Sequence, residues 1–325
     1  MITIFTDSSF ALFSATHILE NTMQKAIVCT PNAGLYQQIQ NLNCFDKVIE
    51  ISPWPRGIAR YYPKDKQRKQ AQEQIITLLQ QYSPKEIWLH EIYSDQWNWI
   101  AYTYKKLFPK GIIRLLPDGF LNASNHYLTA QKKSAQKLKS FLTNSYIPFE
   151  GEWIGLNAKY GNDDLVENIY LPLNFPHEYK EYQVEYFPLA MGAPKQSATK
   201  ALLVEQSLLD RKYLNSTQLK HIYAELQQDW QNKGITDIYI APHPKAKNRD
   251  FGFSDLPIYD RKNIFLEDDI AEGEFGHIYS CFSTIFFMAP SLSYNFISFG
   301  LEELQHFDKK DFYHQLLKKL GVSFL

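Results

Sequence analysis

The stretch MITIFTDSSFALFSATHILENTMQKAIVCT, residues 1–30, contains two short apolar runs separated by enough residues for one helix. The runs at residues 2–5 and 25–29 have the composition and length of β-strands. A strand, a helix and a second strand in this order are typical of parallel α/β sheets. The polar loop Thr6-Asp7-Ser8-Ser9 follows the first strand, and open α/β sheets bind ligands at such strand ends.

Runs of the same kind continue in two series, which predict two domains. From about residue 146 to 194 the periodicity weakens and Pro, Tyr, Asn and Glu accumulate, which indicates an interdomain connection. We therefore expect an α/β protein with two doubly wound, Rossmann-like domains, residues 1–155 and 156–325, that face a central cleft. Further strands are expected at 47–51, 86–89, 111–116, 201–204, 237–241 and 263–266. A helix is expected at 216–233, with Ser216 as its N-cap and Gly234 as the residue that stops it. We also expect a buried element at 280–288 and an amphipathic tail at 302–320 that either packs on its own domain or crosses back to the first.

The composition describes a globular protein without a strong overall charge. The chain has 325 residues, 45% of them apolar, and a formal net charge of -1. These values exclude intrinsic disorder. Because the net charge is close to zero, no overall electrostatic field attracts nucleic acid, so we expect no nucleic-acid partner. The three cysteines, Cys29, Cys44 and Cys281, form no CxxC pair, so neither a disulfide framework nor a zinc site is expected.

The N-terminus and the basic runs bear on where the protein is located. The first residues lack the basic region of a signal peptide. No apolar run approaches the roughly 18 residues of a membrane-spanning helix. The basic runs at residues 56–69 and 132–139 are either solvated faces or a means of holding the protein near an anionic bilayer. We expect a cytoplasmic protein, or one associated peripherally with the inner membrane.

A candidate general base follows one of the predicted strands. In LLPDGFLN, residues 115–122, an apolar run leads directly into Pro117-Asp118-Gly119. The turn projects one carboxylate at the strand end, while Gly119 permits a tight backbone path. Pro-Asp-Gly is also a good turn without any chemical role, so both interpretations stay open at this point.

A candidate phosphate-binding imidazole follows another strand. In IYIAPHPKAKNRDFGF, residues 238–253, His243 lies between Pro242 and Pro244, and three basic residues come soon after it. The prolines restrict the backbone on both sides of the ring. Such an imidazole can donate to a phosphate or protonate a leaving group. The alternative is a surface loop with a solvated basic cluster.

A third pattern carries hydroxyl groups. In FGHIYSCFSTIFFMAP, residues 275–290, Ser280, Ser283 and Thr284 precede an apolar run. A helix that begins near Ser283 would join its free N–H groups to two hydroxyls and form an anion site. Ser-Thr before an apolar run is also an ordinary N-cap.

The order of these three patterns resembles the bacterial sialyltransferases and polysialyltransferases that use CMP-activated nonulosonic acids. Those enzymes carry an [Asp/Glu]-[Asp/Glu]-Gly turn, then His-Pro, then Ser-Ser or Ser-Thr. The resemblance runs from Asp118 to Thr284, and the first acidic position of the turn is Pro117 here. The strand at 201–204, leading into Glu205-Gln206-Ser207, is similar to the start of the nucleotide domain in such enzymes.

The resemblance implies a GT-B fold and an inverting glycosyltransferase that moves a sialic, pseudaminic or legionaminic acid from its CMP donor to a hydroxyl of a bacterial surface glycan. Asp118 would be the general base, His243 the catalytic group on the CMP phosphate, and Ser283 with Thr284 the phosphate anchors. No cofactor and no metal are implied, although the acidic pairs 163–164 and 268–269 raise the alternative of a metal site. The further candidate substrate-binding residues are Pro244, Gly119, Ser8, Ser9, Glu205, Gln206 and Glu267, with Glu267 or Asp269 as a contact to the cytidine ribose.

Other readings of the same residues remain open. A GT-B transferase that uses CMP-Kdo, a UDP-sugar or a GDP-sugar would also place basic and hydroxyl groups on a phosphate. A glycan- or nucleotide-binding module without turnover would keep the same cleft. Comparing the binding of different nucleotides separates the first alternative, and product formation from a CMP-sugar separates the second.

Overall fold

The computed structural model describes residues 1–55, 66–92, 94–119, 134, 156, 158–173, 175–189, 197–243, 255–292, 294–307 and 309–325. They form two compact α/β units. The first unit contains Met1–Leu171 and His177–Pro188, and the second contains Pro172–Pro176 and Leu189–Leu325. The expected division between residues 155 and 156 differs from this one, because strands after residue 156 extend the sheet of the first unit.

The first unit is built on one seven-stranded sheet in the order β3-β2-β1-β4-β5-β8-β9. Pairing is parallel from β3 through β8. The strand order reverses between β1 and β4, and open α/β sheets bind ligands at such a switch point. The elements are β1 (Ile2–Phe5), α1 (Ser9–Thr22), β2 (Ala26–Thr30), α2 (Ala33–Ile39), β3 (Phe45–Glu50), α3 (Lys66–Tyr82), β4 (Glu86–Leu89), α4 (Asp95–Leu107), β5 (Ile112–Leu115), β6 (Lys159–Tyr160), β7 (Asp163–Asp164), β8 (Asn168–Pro172), a 3-10 turn (Glu181–Gln183) and β9 (Val184–Phe187).

The central strands of the first unit are buried along their length. Every residue of β1 and β2 is buried, as is most of β4. Strands covered on both faces read as continuous apolar runs rather than as alternating ones, which is why the runs were visible in the sequence. The short hairpin of β6 and β7 is antiparallel and lies outside the large sheet.

The second unit is built on a five-stranded parallel sheet in the order β11-β10-β12-β13-β14. Its switch point lies between β10 and β12. The elements are β10 (Lys200–Val204), α5 (Ser216–Asn232), β11 (Asp237–Ala241), α6 (Leu266–Ala271), β12 (His277–Ser280), a 3-10 helix (Thr284–Ser291), β13 (Asn295–Ser298), α7 (Lys310–Lys319) and β14 (Ser323–Phe324).

Two local predictions in the second unit are wrong. No strand forms at residues 263–266. Instead, α6 begins at Leu266, and Asp269 Oδ1 accepts hydrogen bonds from the Asn263 amide N–H at 3.0 Å and from Asn263 Nδ2 at 2.9 Å. The N-cap of α5 is Asn215 rather than Ser216, because the Asn215 side chain accepts from the amide N–H of Gln218 at 2.9 Å.

The expected end of α5 is confirmed. The helix ends at Asn232, and Gly234 adopts a φ of 65°. This left-handed conformation favours glycine, since a Cβ is disfavoured there. Across the described ranges of the chain, no helix is long and apolar enough to cross a membrane.

Candidate active site

The parallel register of the first unit brings three loops together at the carboxyl edge of its sheet. Phe5 of β1 pairs with Leu89 of β4, and Leu89 pairs with Leu115 of β5. The amide N–H of Leu116 donates to the Leu89 carbonyl at 2.7 Å, which extends the ladder by one residue beyond β5. The loops that begin at Thr6, His90 and Pro117 therefore leave the sheet side by side.

His90 is the buried centre of this edge. Its side chain is only 4% exposed, and its Nε2 lies 3.2 Å from Asp7 Oδ1. The Trp97 ring packs edge-on against the imidazole, with ring centroids 4.9 Å apart. Because Asp7 is 35% exposed, the pair joins a buried ring to a carboxylate that reaches solvent.

Two further carboxylates act on the His90 ring. Burial opposes protonation of the imidazole, but the charge of Asp118, the hydrogen bond to Asp7 and the charge of Glu91 together raise the pKa of His90 above its ordinary value. Burial also raises the pKa of Glu91, although the charge of His90 and the amide N–H of Ser94 act in the opposite direction. Asp7, His90, Glu91 and Asp118 thus form one electrostatic cluster, which we call the His90 cluster.

The predicted residues of the first unit divide into two groups. Asp118 and Gly119 lie at the carboxyl edge, partly exposed, with Asp118 in the His90 cluster. Ser8 is the N-cap of α1, and its Oγ accepts from the amide N–H of Ala11 at 3.2 Å. Ser9 is the exposed first residue of that helix. Ser8 therefore has a structural role, and its expected contact with substrate stays a prediction.

In the second unit, His243 lies just beyond the end of β11 and is held by two residues that follow β10. Its Nδ1 lies 2.9 Å from Ser207 Oγ, and its amide N–H donates to Glu205 Oε2 at 3.1 Å. Glu205 and Ser207 are buried, at 2% and 5% exposure. The arrangement follows from the parallel pairing of Val204 with Ala241 at the ends of the two strands.

The hydroxyl residues lie at the end of β12 and just after it, and β12 is the strand on the other side of β10. Ser283 is buried and is the N-cap of the 3-10 helix, where its Oγ accepts from the amide N–H of Ile285 at 3.3 Å. Thr284 is the partly exposed first residue of that helix. Ser280 instead donates to the Val204 carbonyl at 2.8 Å and joins the ends of β12 and β10.

The remaining predicted residues of the second unit differ in their surroundings. Gln206 is partly exposed beside Glu205. Glu267, on the first turn of α6, is 8% exposed, and burial raises its pKa to about 7. Asp269, the alternative ribose contact, is instead bonded to Asn263. Pro244 and the three following basic residues, Lys245, Lys247 and Arg249, lie outside the described residues, as do residues 56–65 and most of the second basic run.

No metal centre was found in the part of the chain that the structure describes: no group of three or more His, Cys, Asp or Glu side chains there could hold an ion. The acidic pair Asp163 and Asp164 forms the short strand β7 and is exposed. Asp164 pairs with Lys159. Metal independence stays a prediction.

Sequence reasoning missed His90 and undervalued Ser207. His90 directly follows the apolar run of β4 and precedes Glu91, and its partner Asp7 lies in the loop after β1, far away in the sequence. One signal was available: Asp7 and His90 each come shortly after a strand, and the ends of β1 and β4 are neighbours at the switch point of a doubly wound sheet.

Comparison with solved structures supports the fold assignment. The crystal structure of glycosyltransferase VinC in complex with dTDP matches with a TM-score of 0.50 and 9% identity, over 100% of this chain and 86% of that one. The fold is of the GT-B class. The UDP-GlcNAc 2-epimerase from Methanocaldococcus jannaschii matches with a TM-score of 0.48 and 11% identity, over 99% and 91% of the two chains. MurG from Acinetobacter baumannii matches with a TM-score of 0.47 and 9% identity, over 100% and 85%.

Sequence comparisons gave no relatives. No protein-family model matches the chain, and no curated protein matches it either. The predicted α/β class with two doubly wound units is confirmed, and at these identities the likeness extends to the fold alone.

Proposed function

We propose that the protein is a glycosyltransferase that uses a nucleotide-activated sugar. The observation that supports this most strongly is the fixed imidazole of His243, beyond the end of β11, with Ser283 beyond the end of β12. Both residues lie at the carboxyl edge of a doubly wound sheet, where nucleotides bind. The fold match to a glycosyltransferase that binds dTDP is consistent with this proposal.

In the proposal, the second unit binds the donor phosphate. An imidazole and a hydroxyl can each donate a hydrogen bond to a phosphate oxygen. Ser207 and Glu205 hold the ring and the backbone of His243, so little side-chain entropy is lost when the phosphate binds. These donors would stabilise the charge that develops on the departing nucleotide.

The acceptor would be activated from the first unit by Asp118. The acceptor oxygen forms a bond to the anomeric carbon as the bond from that carbon to the phosphate oxygen breaks. The hydroxyl proton passes to the Asp118 carboxylate, and the bonding electron pair leaves with the nucleotide. Attack opposite the leaving group inverts the anomeric centre.

For the donor we propose a CMP-activated nonulosonic acid, with a bacterial surface glycan as acceptor. The order of Asp118, His243 and the Ser283-Thr284 pair along the chain supports this choice, because it resembles the sialyltransferase group. CMP carries one phosphate, and one imidazole with one hydroxyl pair suits a single phosphate. The alternatives are CMP-Kdo and UDP- or GDP-sugars, or binding without turnover.

A comparison of nucleotides tests the proposal. The melting temperature of the protein is measured with CMP, UDP, GDP, dTDP and NAD. Product formation is then measured in the presence of glycan acceptors, with these donors: CMP-activated sialic, pseudaminic and legionaminic acids, CMP-Kdo, UDP-GlcNAc and GDP-mannose. CMP should stabilise the protein most, by roughly 2.7 kcal/mol at about 100 times its dissociation constant. The His243→Ala variant should lose most of that stabilisation.

Each other outcome identifies an alternative. A larger shift with UDP or GDP, together with transfer from its sugar, would replace the donor assignment. Transfer from CMP-Kdo alone would exclude the nonulosonic acids named here. Stabilisation by CMP without transfer from any donor would indicate a binding module.

A further inference from the structure

We propose that His90 is a positioning residue, which as an imidazolium bound to Asp7 holds the Asp7 and Asp118 carboxylates in place at the carboxyl edge of the first unit. This inference extends the proposed function, in which Asp118 is the base. In this inference His90 follows β4 and acts through two carboxylates, Asp7 after β1 and Asp118 after β5, the two strands that flank β4.

His90 is more deeply buried than the Asp7 carboxylate that it contacts. The imidazole is 4% exposed, whereas Asp7 is 35% exposed, and the Nε2 to Oδ1 distance of 3.2 Å fits a hydrogen bond. The edge-on Trp97 ring covers the imidazole from α4. Packing restricts the rotation of the buried ring, so a hydrogen bond from this ring can fix the orientation of the more exposed Asp7 carboxylate.

Among the described residues, the charged groups that act on the His90 ring all have the same sign. Asp7 faces it from the β1–α1 loop, Glu91 from the β4–α4 loop and Asp118 from the segment after β5. Three carboxylates near one another repel, and a single cation among them reduces that repulsion. A protonated His90 therefore reduces the repulsion among the carboxyl groups at the carboxyl edge of the first unit.

The direction of the pH dependence follows from these contacts. Because the carboxylates raise the pKa of His90, the ring keeps its charge to a higher pH than an ordinary histidine. Above that pH the ring becomes neutral, its bond to Asp7 loses the charge-assisted contribution, and Asp118 loses a cationic neighbour. Turnover should then fall on the alkaline side.

NMR titration of the His90 ring tests the electrostatic part without any turnover. In the unaltered protein the His90 pKa should lie above 6.5, the ordinary value for histidine. Asp7→Asn keeps an oxygen acceptor but removes the charge, and should lower the His90 pKa measurably. A His90 pKa of 6.5 or below, or one that is unchanged in Asp7→Asn, overturns the inference.

The kinetic part uses His90→Gln, with His221→Gln on the exposed face of α5 as the matched control. His90→Gln should lower kcat about 10- to 100-fold, leave nucleotide affinity unchanged and remove the alkaline decline. Asp7→Asn should move that decline to lower pH. His221→Gln should behave like the unaltered protein.

The outcomes separate this inference from the proposed function. If no nucleotide-sugar is turned over, the proposed function fails, while the NMR result still decides whether His90 is a cation bound to Asp7. If transfer occurs and His90→Gln keeps the alkaline decline, the positioning role is overturned. If His90→Gln does not fold, the Asp7→Asn variant tests the inference instead. Its alkaline decline in turnover should lie at lower pH than in the unaltered protein, and a decline at the same pH overturns the inference.

Discussion

The Nδ1 atom of His243 lies 2.9 Å from the Oγ atom of Ser207, across the ends of two neighbouring parallel strands. This contact fixes the plane of an imidazole that the flanking backbone alone would leave free to rotate about its side-chain torsions. A residue after β10 thus orients the side chain of a residue after β11.

Ser207→Ala should weaken nucleotide binding without unfolding the second unit. Loss of one hydrogen bond to the ring corresponds to about 1 kcal/mol, or roughly a fivefold increase in the dissociation constant for CMP. Isothermal titration calorimetry measures this directly. Ser197→Ala is the matched control, since Ser197 precedes β10 at the other end of the strand and bonds Thr199. Equal CMP affinity in both variants would argue against an orienting role for Ser207.

Asp118→Asn should abolish most turnover and leave nucleotide binding nearly unchanged. Removal of a general base typically lowers the rate about 10²- to 10⁴-fold, and Asn preserves the shape of the turn. The control is Asp163→Asn, an exposed acid of β7 in the same unit. Turnover, CMP affinity and melting temperature are measured for both variants. A folded Asp118→Asn protein that keeps more than about a third of its turnover would return Pro-Asp-Gly to the role of a plain turn.

Excess EDTA should leave turnover nearly unchanged. The proposed phosphate contacts come from an imidazole, hydroxyls and a helix start rather than from a carboxylate cluster. The assay compares chelated protein with samples to which Mg²⁺ or Mn²⁺ is restored. Activity that disappears with chelator and returns with either ion would bring the acidic pairs 163–164 and 268–269 back into consideration.

Glu267 should make stability depend on pH between about 4.5 and 7. Burial raises the folded-state pKa of this carboxyl from 4.5 to about 7, so the contribution of its protonated form is complete below pH 4.5 and is lost as pH rises through 7. Glu267→Gln should remove this loss and stabilise the protein at pH 8 by up to about 3 kcal/mol. Urea unfolding at pH 5 and pH 8 measures the difference.

The control for that measurement is Glu302→Gln, because Glu302 is 67% exposed. The Glu302→Gln substitution should change the free energy of unfolding only slightly, and by the same amount at pH 5 and at pH 8. If Glu267→Gln shows no greater benefit at pH 8 than at pH 5, Glu267 is already ionised in the folded protein.

The sequence was informative where a feature depends on a single strand and the loop that follows it. Continuous apolar runs predicted β1, β4 and β10 because these strands are buried on both faces. Asp118 and His243 became candidates because each follows such a run. The His90–Asp7 pair was not found, since it depends on which strands become neighbours. A one-residue change of register would separate these side chains.

The same physical reason explains the misplaced division between domains. Strand β8 follows a segment rich in Tyr, Asn and Pro whose composition indicates a connection. Its place beside β5 comes from two long-range partner pairs, Arg114 with Asn168 and Leu115 with Ile169. The ion pairs of Arg114 with Glu86 and Glu185 add contacts across that part of the sheet. Neither kind of contact has a local signature.

The return of residues 177–188 to the first unit, after residues 172–176 have joined the second, limits how the protein can be divided for study. A fragment ending at residue 155 would lack β8 and β9, and the exposed backbone of β5 would become an aggregation-prone edge. A fragment ending at residue 188 keeps the whole first sheet but takes with it a short piece of the second unit, including Phe175, whose ring stacks on Phe287 at a centroid distance of 4.2 Å. Binding studies on an isolated second unit would therefore begin with a gap in its core, so nucleotide affinities are best measured on the undivided chain.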